Sequence, residues 1–148
     1  MKKAFLVILG VLIGIFIFIQ FIPVKRDNPA VVSDLNAPPE VKAVLKRACY
    51  DCHSNETRWL WYSHVAPVAW LVADDVREGR QHLNFSDWGK YVAKNKVGFV
   101  KGHIYDEIAE KEMPLSKYLI MHPDAQISSE DLKILSGWLG KTFSNSDK

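Results

Sequence analysis

The chain contains only two cysteines, and a histidine directly follows the second of them. Cys49, Cys52 and His53 form a C-x-x-C-H motif, which is the attachment signature of a c-type haem. Cysteines three residues apart lie on neighbouring turns of a short helix, so their sulfur atoms point the same way, towards one edge of a porphyrin. His53 reaches the iron from the same side. The motif therefore predicts a domain that folds around one covalently bound haem.

Other uses of the cysteine pair fit the sequence less well. A disulfide between Cys49 and Cys52 would close a very small ring and would do little to stabilise a fold. A thiol oxidoreductase places its C-x-x-C motif after a strand in a βαβ unit, whereas the residues before Cys49 have a helical pattern. A zinc site would need a second pair of ligands at the usual spacing, and the sequence contains no such pair.

Length and composition leave room for one small domain. The chain has 148 residues, of which 48% are hydrophobic and 24% are charged. Its net charge of +2 is too small to indicate nucleic-acid binding, so no nucleic-acid partner is expected. Five tryptophans suit a pocket around a large flat ligand, but they suit an ordinary core equally well.

Residues 4–24 form an almost wholly apolar run that is long enough to cross the hydrocarbon layer of a bilayer. Lys2 and Lys3 precede the run as in a secretory signal, but no small-residue cleavage site ends it. We interpret residues 1–24 as an uncleaved membrane anchor, with a cleaved signal peptide as the alternative. The flanking charges favour an inside N-terminus only slightly. Because bacterial c-type haem is attached outside the cytoplasmic membrane, we expect the soluble domain on the periplasmic or external face.

The rest of the chain divides into three parts. Residues 25–38 have little hydrophobic periodicity and end at a proline pair, so we interpret them as a linker. Residues 39–143 are the predicted haem-binding domain, and residues 144–148 are a predicted disordered tail. Because strand-like alternation is absent over any useful length, the domain is predicted to be all-α.

Apolar residues at helical spacing predict three helices in the first half of the domain. The first spans residues 39–50 and ends in the C-x-x-C-H motif. A second fits residues 66–78, with Gly79 as its stop, and Ser86 is expected to cap a short helix that starts at Asp87. The apolar face of the first helix comprises Val41, Val44, Leu45 and Ala48.

Three further helices are predicted in the second half. One spans residues 96–111 and ends before Pro114, which disfavours helix at the preceding residue. A short helical turn covers residues 115–121. The last helix begins with a capping box of Ser128 and Asp131, with aspartate in place of the usual glutamate. Its apolar face comprises Leu132, Leu135, Trp138 and Leu139.

An early helix ending in C-x-x-C-H, a late methionine–proline pair and a final amphipathic helix together resemble a single-haem cytochrome c. The chain is more closely similar to the bacterial haem-binding domain family, whose members are often membrane-anchored. The resemblance covers most of residues 39–140 and implies a small cytochrome c-like helical domain around one haem c. It rests on residues 49–57 and 61–63, Pro67, Trp70, residues 84–86 and 112–114, Tyr118, His122 and Pro123.

A haem iron held by His53 has a second axial position, for which Met113 is the predicted ligand. A thioether favours ferrous iron and raises the reduction potential. Met113 lies at a predicted helix end that Pro114 stiffens, and the resemblance supports the same choice because the distal methionine of cytochromes c commonly precedes a proline. Met121 is expected in the core or the pocket wall, and an open sixth position is a further alternative. The weaker histidine candidates are His64, His82, His103 and His122.

Other side chains have less specific signals. Arg77 and Arg80 are candidates to pair with haem propionates, although a solvated helix end is the interpretation we favour. Tyr118 is expected in the distal pocket or the core. The aromatic candidates for packing against the porphyrin are Trp59, Trp61, Tyr62 and Trp70.

These features predict an electron carrier rather than an enzyme, because two protein axial ligands leave the iron no position for a substrate. Cys49 and Cys52 would hold the haem covalently, and His53 and Met113 would ligate its iron. The expected partners are redox proteins of a respiratory chain, at the periplasmic side of a bacterial inner membrane. The alternative function is that of a haem enzyme, or a gas or redox sensor, with an open or displaceable distal site.

Overall fold

The structure is a computed structural model that describes residues 1–143, so the predicted disordered tail at residues 144–148 lies outside the described residues. The described chain is helical and contains no strand, apart from an isolated bridge between Ser33 and Asp87. The prediction of an all-α fold is therefore confirmed. Two 3-10 helices span Trp61–His64 and Pro123–Ala125. The α-helices are α1 (Lys2–Ile19), α2 (Pro39–Ala48), α3 (Tyr50–His53), α4 (Val68–His82), α5 (Gly89–Ala93), α6 (Val97–Ala109), α7 (Ser116–Leu119) and α8 (Ser129–Leu139).

Helix α1 is apolar on every side and buries none of its residues against the domain. Its 18 residues have a mean hydropathy of 2.4, so by length and composition this helix is able to cross a membrane. The helix ends at Gln20, inside the apolar run that predicted it. The sequence-based expectation of one N-terminal apolar helix ahead of the domain is met.

The segment of residues 25–38, which we interpreted as a linker, lies against the helical domain in an extended conformation. The backbone N–H groups of Val32 and Ser33 both donate to the Ser86 carbonyl oxygen, at 2.9 and 3.0 Å. In return, the Trp88 N–H donates to the Ser33 carbonyl oxygen at 2.7 Å. Leu35 is 2% exposed and belongs to the core. This segment therefore contributes to packing in addition to joining α1 to α2.

The first predicted helix is interrupted at Cys49, where φ is −127° and ψ is −32°. Helix α2 ends at Ala48, and α3 follows as a single turn that carries the rest of the motif. The predicted apolar face of α2 is buried as expected, and it packs against α8 and its preceding 3-10 helix. The Tyr50 ring stacks on Phe85 with the centroids 5.1 Å apart. The motif is thereby held rigidly at the edge of the core.

Two predicted helix boundaries are wrong. Gly79 does not end its helix, because α4 continues to His82, and its backbone packs closely against Cys52 at this point. Ser86 does not cap α5, which begins at Gly89. The Ser86 hydroxyl instead accepts a hydrogen bond from the Asn55 N–H at 2.9 Å. Both residues serve contacts between distant segments, which a local pattern does not show.

The second half of the domain follows the predicted pattern closely. In α6, Ile104 and Ile108 are buried, while Val97 and Val100 pack against the same core at its edge. Helix α8 begins with the predicted capping box, in which the Ser128 and Asp131 side chains each bond the other residue's backbone N–H. Gly140 ends it in a left-handed conformation, with φ of 72°. The apolar faces of α2, α6 and α8 thus meet in one core.

Candidate functional site

Helices α3, α4 and α6 and residues 113–118 enclose a cavity of about 640 Å³. This volume lies within the range of roughly 300–1,000 Å³ that is typical of pockets for small molecules and cofactors. The four residues that the sequence singled out all line it: Cys49, Cys52, His53 and Met113. Apolar side chains form much of the remaining wall, namely Leu83, Phe85, Ile104, Ile108, Leu115 and Ile127.

The two cysteines are partly buried in the cavity wall. Burial raises the pKa of the Cys49 thiol to about 12, and the neighbouring Cys52 adds to the effect. Burial also raises the pKa of Cys52 to about 12, with further contributions from Asp75 and Asp51. Thiolate-dependent chemistry such as disulfide exchange or zinc binding needs the opposite shift. The raised pKa values of both cysteines therefore favour the protonated thiols over the thiolates.

The His53 imidazole is oriented by two backbone carbonyl groups. Its Nδ1 atom lies 3.0 Å from the Gly79 oxygen and 3.2 Å from the Leu83 oxygen. Because carbonyl oxygens only accept, Nδ1 carries the proton and Nε2 carries the lone pair. Burial lowers the pKa of His53, although the hydrogen bonds to Leu83 and Gly79 oppose this shift. A neutral imidazole oriented through Nδ1 is the usual state of a metal-ligating histidine.

Met113 reaches the cavity because of the way α6 ends. Lys111 has a left-handed conformation with φ of 61°, and its N–H donates to the Ile108 oxygen at 3.2 Å. The N–H groups of Glu112 and Met113 both donate to the Glu107 oxygen, at 3.0 and 3.1 Å. These bonds form a Schellman motif, which turns the chain sharply after the helix. The turn places the Met113 side chain in the cavity wall, where its thioether sulfur is a soft ligand for iron.

A polar network borders the motif, and sequence reasoning missed it. The Asp51 carboxylate accepts hydrogen bonds from Arg58, at 2.9 Å for Nη2, and from the Tyr118 hydroxyl at 2.8 Å. Burial raises the pKa of Asp51, but the bonds from Arg58 outweigh it and lower the pKa below its ordinary value. The Tyr118 ring stacks on His122, whose Nε2 lies 2.5 Å from the Tyr62 hydroxyl. Asp51 occupies a variable position of C-x-x-C-H, so the motif gave no signal for it.

The weaker candidates for the second iron ligand differ in whether they line the cavity. His82 and His103 also line the cavity, whereas His64 lies on an exposed part of the chain. The Nε2 atom of His122 is engaged by Tyr62, outside the cavity wall. Met121 was expected in the core or the pocket wall, and that expectation is wrong, because its side chain is exposed beyond the end of α7.

The candidate partners of the haem propionates, Arg77 and Arg80, do not line the cavity. Arg80 donates to the Ser54 and Asp27 carbonyl oxygens at 2.8 and 2.9 Å, so it fastens the extended segment to the domain. Arg77 pairs with Asp74 on the surface of α4. Lys117 also lines the cavity, where its ammonium group pairs with the Asp75 carboxylate at 2.8 Å, and sequence reasoning did not identify it. The predicted porphyrin-packing residues are likewise outside the wall: Trp59, Trp61, Tyr62 and Trp70.

The helical fold brings an oriented imidazole and a largely apolar wall to one cavity. The chain also matches the model of a family described as a haem-binding domain, over residues 14–141. The chain belongs to this haem-binding domain family, its cofactor is haem, and the resemblance found in the sequence is confirmed. No curated protein matches the chain, and no solved structure matches it.

Proposed function

We propose that this protein is a membrane-anchored, single-haem c-type cytochrome that carries one electron at a time. Family membership supplies the haem. The observation that carries the proposal is the convergence of Cys49, Cys52, His53 and Met113 on one cavity, although some sixty residues separate the histidine from the methionine. When bound there, haem supplies reversible one-electron exchange between ferrous and ferric iron.

The two cysteines hold the cofactor covalently in this proposal. Each thiol would add its S–H bond across a haem vinyl group, so that one carbon would gain sulfur and the other would gain hydrogen. No atom leaves in this addition, and the mass of the product is the sum of chain and haem. The local fold supports the reaction because Cys49, at the break before α3, and Cys52, within α3, line the same cavity.

His53 and Met113 ligate the iron in this proposal. The hydrogen bonds from Nδ1 to Gly79 and Leu83 fix the ring and direct the lone pair of Nε2 into the cavity. Met113 is presented by the turn after α6, so the two ligands come from separate elements of the cavity wall. With His53 and Met113 as its two protein ligands, the iron would have no position for a substrate, and one-electron exchange would be the use that remains.

Helix α1 anchors this domain to a membrane in the proposal. Its length and apolar composition support a single crossing. We place the domain on the periplasmic or external side of a bacterial cytoplasmic membrane, where c-type haem is attached. Membrane-bound redox proteins of a respiratory chain are the proposed donors and acceptors, because the anchor confines the haem near them.

A redox titration with ligand challenge tests this function. The purified, haem-loaded chain is titrated while its absorption spectrum is recorded, and the reduced form is then exposed to carbon monoxide. An electron carrier gives one reversible one-electron transition, a low-spin spectrum in both states and slow binding of carbon monoxide. A high-spin spectrum with immediate carbon monoxide binding would instead identify a haem enzyme or gas sensor with an open distal site.

A further inference from the structure

The end of helix α1 is fastened to the domain by a paired hydrogen bond. The Gln20 side-chain amide donates to the Ala66 carbonyl oxygen at 3.1 Å, and its oxygen accepts from the Ala66 N–H at 2.9 Å. Arg26 adds a second tie by donating to the Ser63 carbonyl oxygen at 3.3 Å. These contacts join the last turn of α1 to the junction between the first 3-10 helix and α4. The domain therefore has a fixed side that faces the end of the apolar helix.

Exposed apolar side chains surround the point where Gln20 binds. Trp61 is 71% exposed and lies in the first 3-10 helix, while Leu71 is 58% exposed and lies in the first turns of α4. Val68 shares the helix face of Leu71, because residues three apart are neighbours on a helix surface. Exposed apolar patches of this kind mark contact surfaces. We call this surface the apolar corner, and it comprises Leu60, Trp61, Val65, Val68, Trp70 and Leu71.

We propose that the apolar corner lies in the interfacial layer of the same bilayer that α1 crosses. This inference rests on the proposed anchoring function of α1. A spanning helix ends at the membrane–water boundary, and Gln20 stands at that end of α1. Since Gln20 binds Ala66 directly, the corner residues on either side of Ala66 lie at the same depth. Tryptophan is enriched at this boundary, where its apolar ring and its N–H group are both accommodated.

The basic residue that follows the apolar run also favours a bilayer as the partner of the apolar corner. Lys25 directly follows the apolar run, and although its ammonium group pairs with Asp27 at 3.2 Å, its side chain is 85% exposed and able to meet lipid headgroups. Burial of the corner in lipid would remove large apolar side chains from water, which is favourable in proportion to the area covered. A bilayer is the occupant that α1 necessarily brings to this surface. The corner and α1 thus form one continuous membrane contact.

Docking of the corner fixes where the haem cavity sits. Helix α4 begins in the corner, and its cavity-lining part starts at Asp75, about one turn beyond Leu71. At 1.5 Å of rise per residue, the cavity-lining residues 75–82 lie roughly 6–17 Å from Leu71 along the helix. The cavity is therefore held close to the bilayer surface rather than suspended on a flexible tether. Redox partners at the membrane would then meet the haem at a defined height.

Photolabelling from the lipid tests this docking. The full, haem-loaded chain is placed in nanodiscs that contain a phospholipid with a photoactivatable diazirine on its acyl chain, and adducts are mapped by mass spectrometry. We expect adducts in α1 and in residues 60–71. Phe99, which is 77% exposed on α6, serves as the internal control and should carry at least tenfold fewer adducts. Adducts confined to α1 would overturn the docking while leaving the anchor intact. A chain without adducts in either segment would overturn both, and equal labelling at Phe99 would also overturn the docking.

Two single variants test the role of the paired hydrogen bonds between Gln20 and Ala66. Gln20→Leu removes both hydrogen bonds to Ala66 while making α1 more apolar, so labelling of α1 should persist and labelling of residues 60–71 should fall several-fold. Gln126→Leu makes the same change at an exposed glutamine outside α1 and residues 60–71, and it should leave the labelling pattern unaltered. An unchanged haem spectrum in both variants shows that the domain is folded. Undiminished labelling of residues 60–71 in Gln20→Leu would contradict the role of these hydrogen bonds in holding the corner at the bilayer.

Discussion

Gly79 and Cys52 are in such close contact that no side chain fits between them. A Cβ atom on Gly79 would lie 2.6 Å from the Cys52 carbonyl oxygen. The Gly79 carbonyl oxygen also accepts the hydrogen bond from His53 Nδ1, at 3.0 Å. One position of α4 therefore determines both how closely the helix approaches the C-x-x-C-H motif and how the imidazole is oriented.

This contact predicts that Gly79→Ala destabilises the protein. The added methyl group meets backbone atoms rather than a flexible side chain, so α4 must move away from α3. The expected loss in the free energy of unfolding is about 1–3 kcal/mol, as for other overpacked sites. Denaturant unfolding measures it. Gly137→Ala is the matched control, because Gly137 lies in α8 with open space around it, and there alanine should be neutral or stabilising by up to about 1 kcal/mol. Equal midpoints for Gly79→Ala and the parent chain would refute the prediction.

Ligation by Met113 predicts a spectroscopic difference between two methionine variants. Met113→Ala removes the proposed sulfur ligand, so the oxidised protein should lose the weak far-red absorption band of methionine-ligated haem. Its reduction potential should fall as well. Met121→Ala, at an exposed methionine outside the cavity wall, should keep the band and the potential. Persistence of the far-red band in Met113→Ala would show that another residue ligates the iron.

The capping box of α8 predicts a pH-dependent contribution to stability. Burial raises the pKa of Asp131, but hydrogen bonds from Ser128 and Arg47 outweigh it and lower the pKa. A carboxyl whose pKa is lower in the folded state stabilises the fold above its unfolded pKa of about 3.9, and this contribution is lost as the pH falls further. Asp131→Asn should therefore cost about 1 kcal/mol near neutral pH and progressively less below about pH 4.

Unfolding of the parent chain and of Asp131→Asn, followed across this pH range, measures the effect. Glu130→Gln is the control, since Glu130 lies in the same helical turn but pairs with Lys133 on the surface. That exposed pair should contribute less than about 0.5 kcal/mol at any pH. A stability difference between Asp131→Asn and the parent chain that stays constant down to pH 2 would contradict the assigned pKa shift.

The extended segment of residues 25–38 predicts that a residue outside the helices matters for stability. Leu35 is fully packed in the core, so Leu35→Ala should lower the free energy of unfolding by about 2–5 kcal/mol. Val32→Ala, three residues earlier and 76% exposed, should change it by less than about 0.5 kcal/mol. Thermal unfolding of both variants distinguishes this segment from a passive linker, for which the two substitutions would have equally small effects.

Local patterns were sufficient for the helices, because period and capping are encoded within a few neighbouring residues. The apolar faces of α2 and α8 and the Ser128–Asp131 box all appeared as the sequence predicts. Gly79 shows the limit of such reasoning. A glycine after a helical pattern usually ends the helix, but here it permits an approach to Cys52, 27 positions earlier, and no window along the chain contains both partners.

The site was predictable only as far as its residues carry a motif. C-x-x-C-H and the methionine–proline pair identified the four residues that the fold brings into one cavity. Asp51 and Lys117 were missed, because their roles depend on partners that meet only in three dimensions. The aromatic residues were placed incorrectly for a related reason: aromatic content alone does not distinguish a pocket wall from an exposed surface such as that of Trp61.

Intact mass spectrometry, paired with a pyridine haemochrome spectrum, tests the central claim that Cys49 and Cys52 hold one haem covalently. The full chain is produced in a host with the c-type haem attachment machinery and denatured before measurement. We predict the mass of the chain plus one haem, with the haemochrome spectrum of a doubly thioether-linked porphyrin, and a shift towards that of a singly linked porphyrin in Cys49→Ala. A denatured chain with the mass of the bare polypeptide would contradict the account, even if the folded protein were coloured.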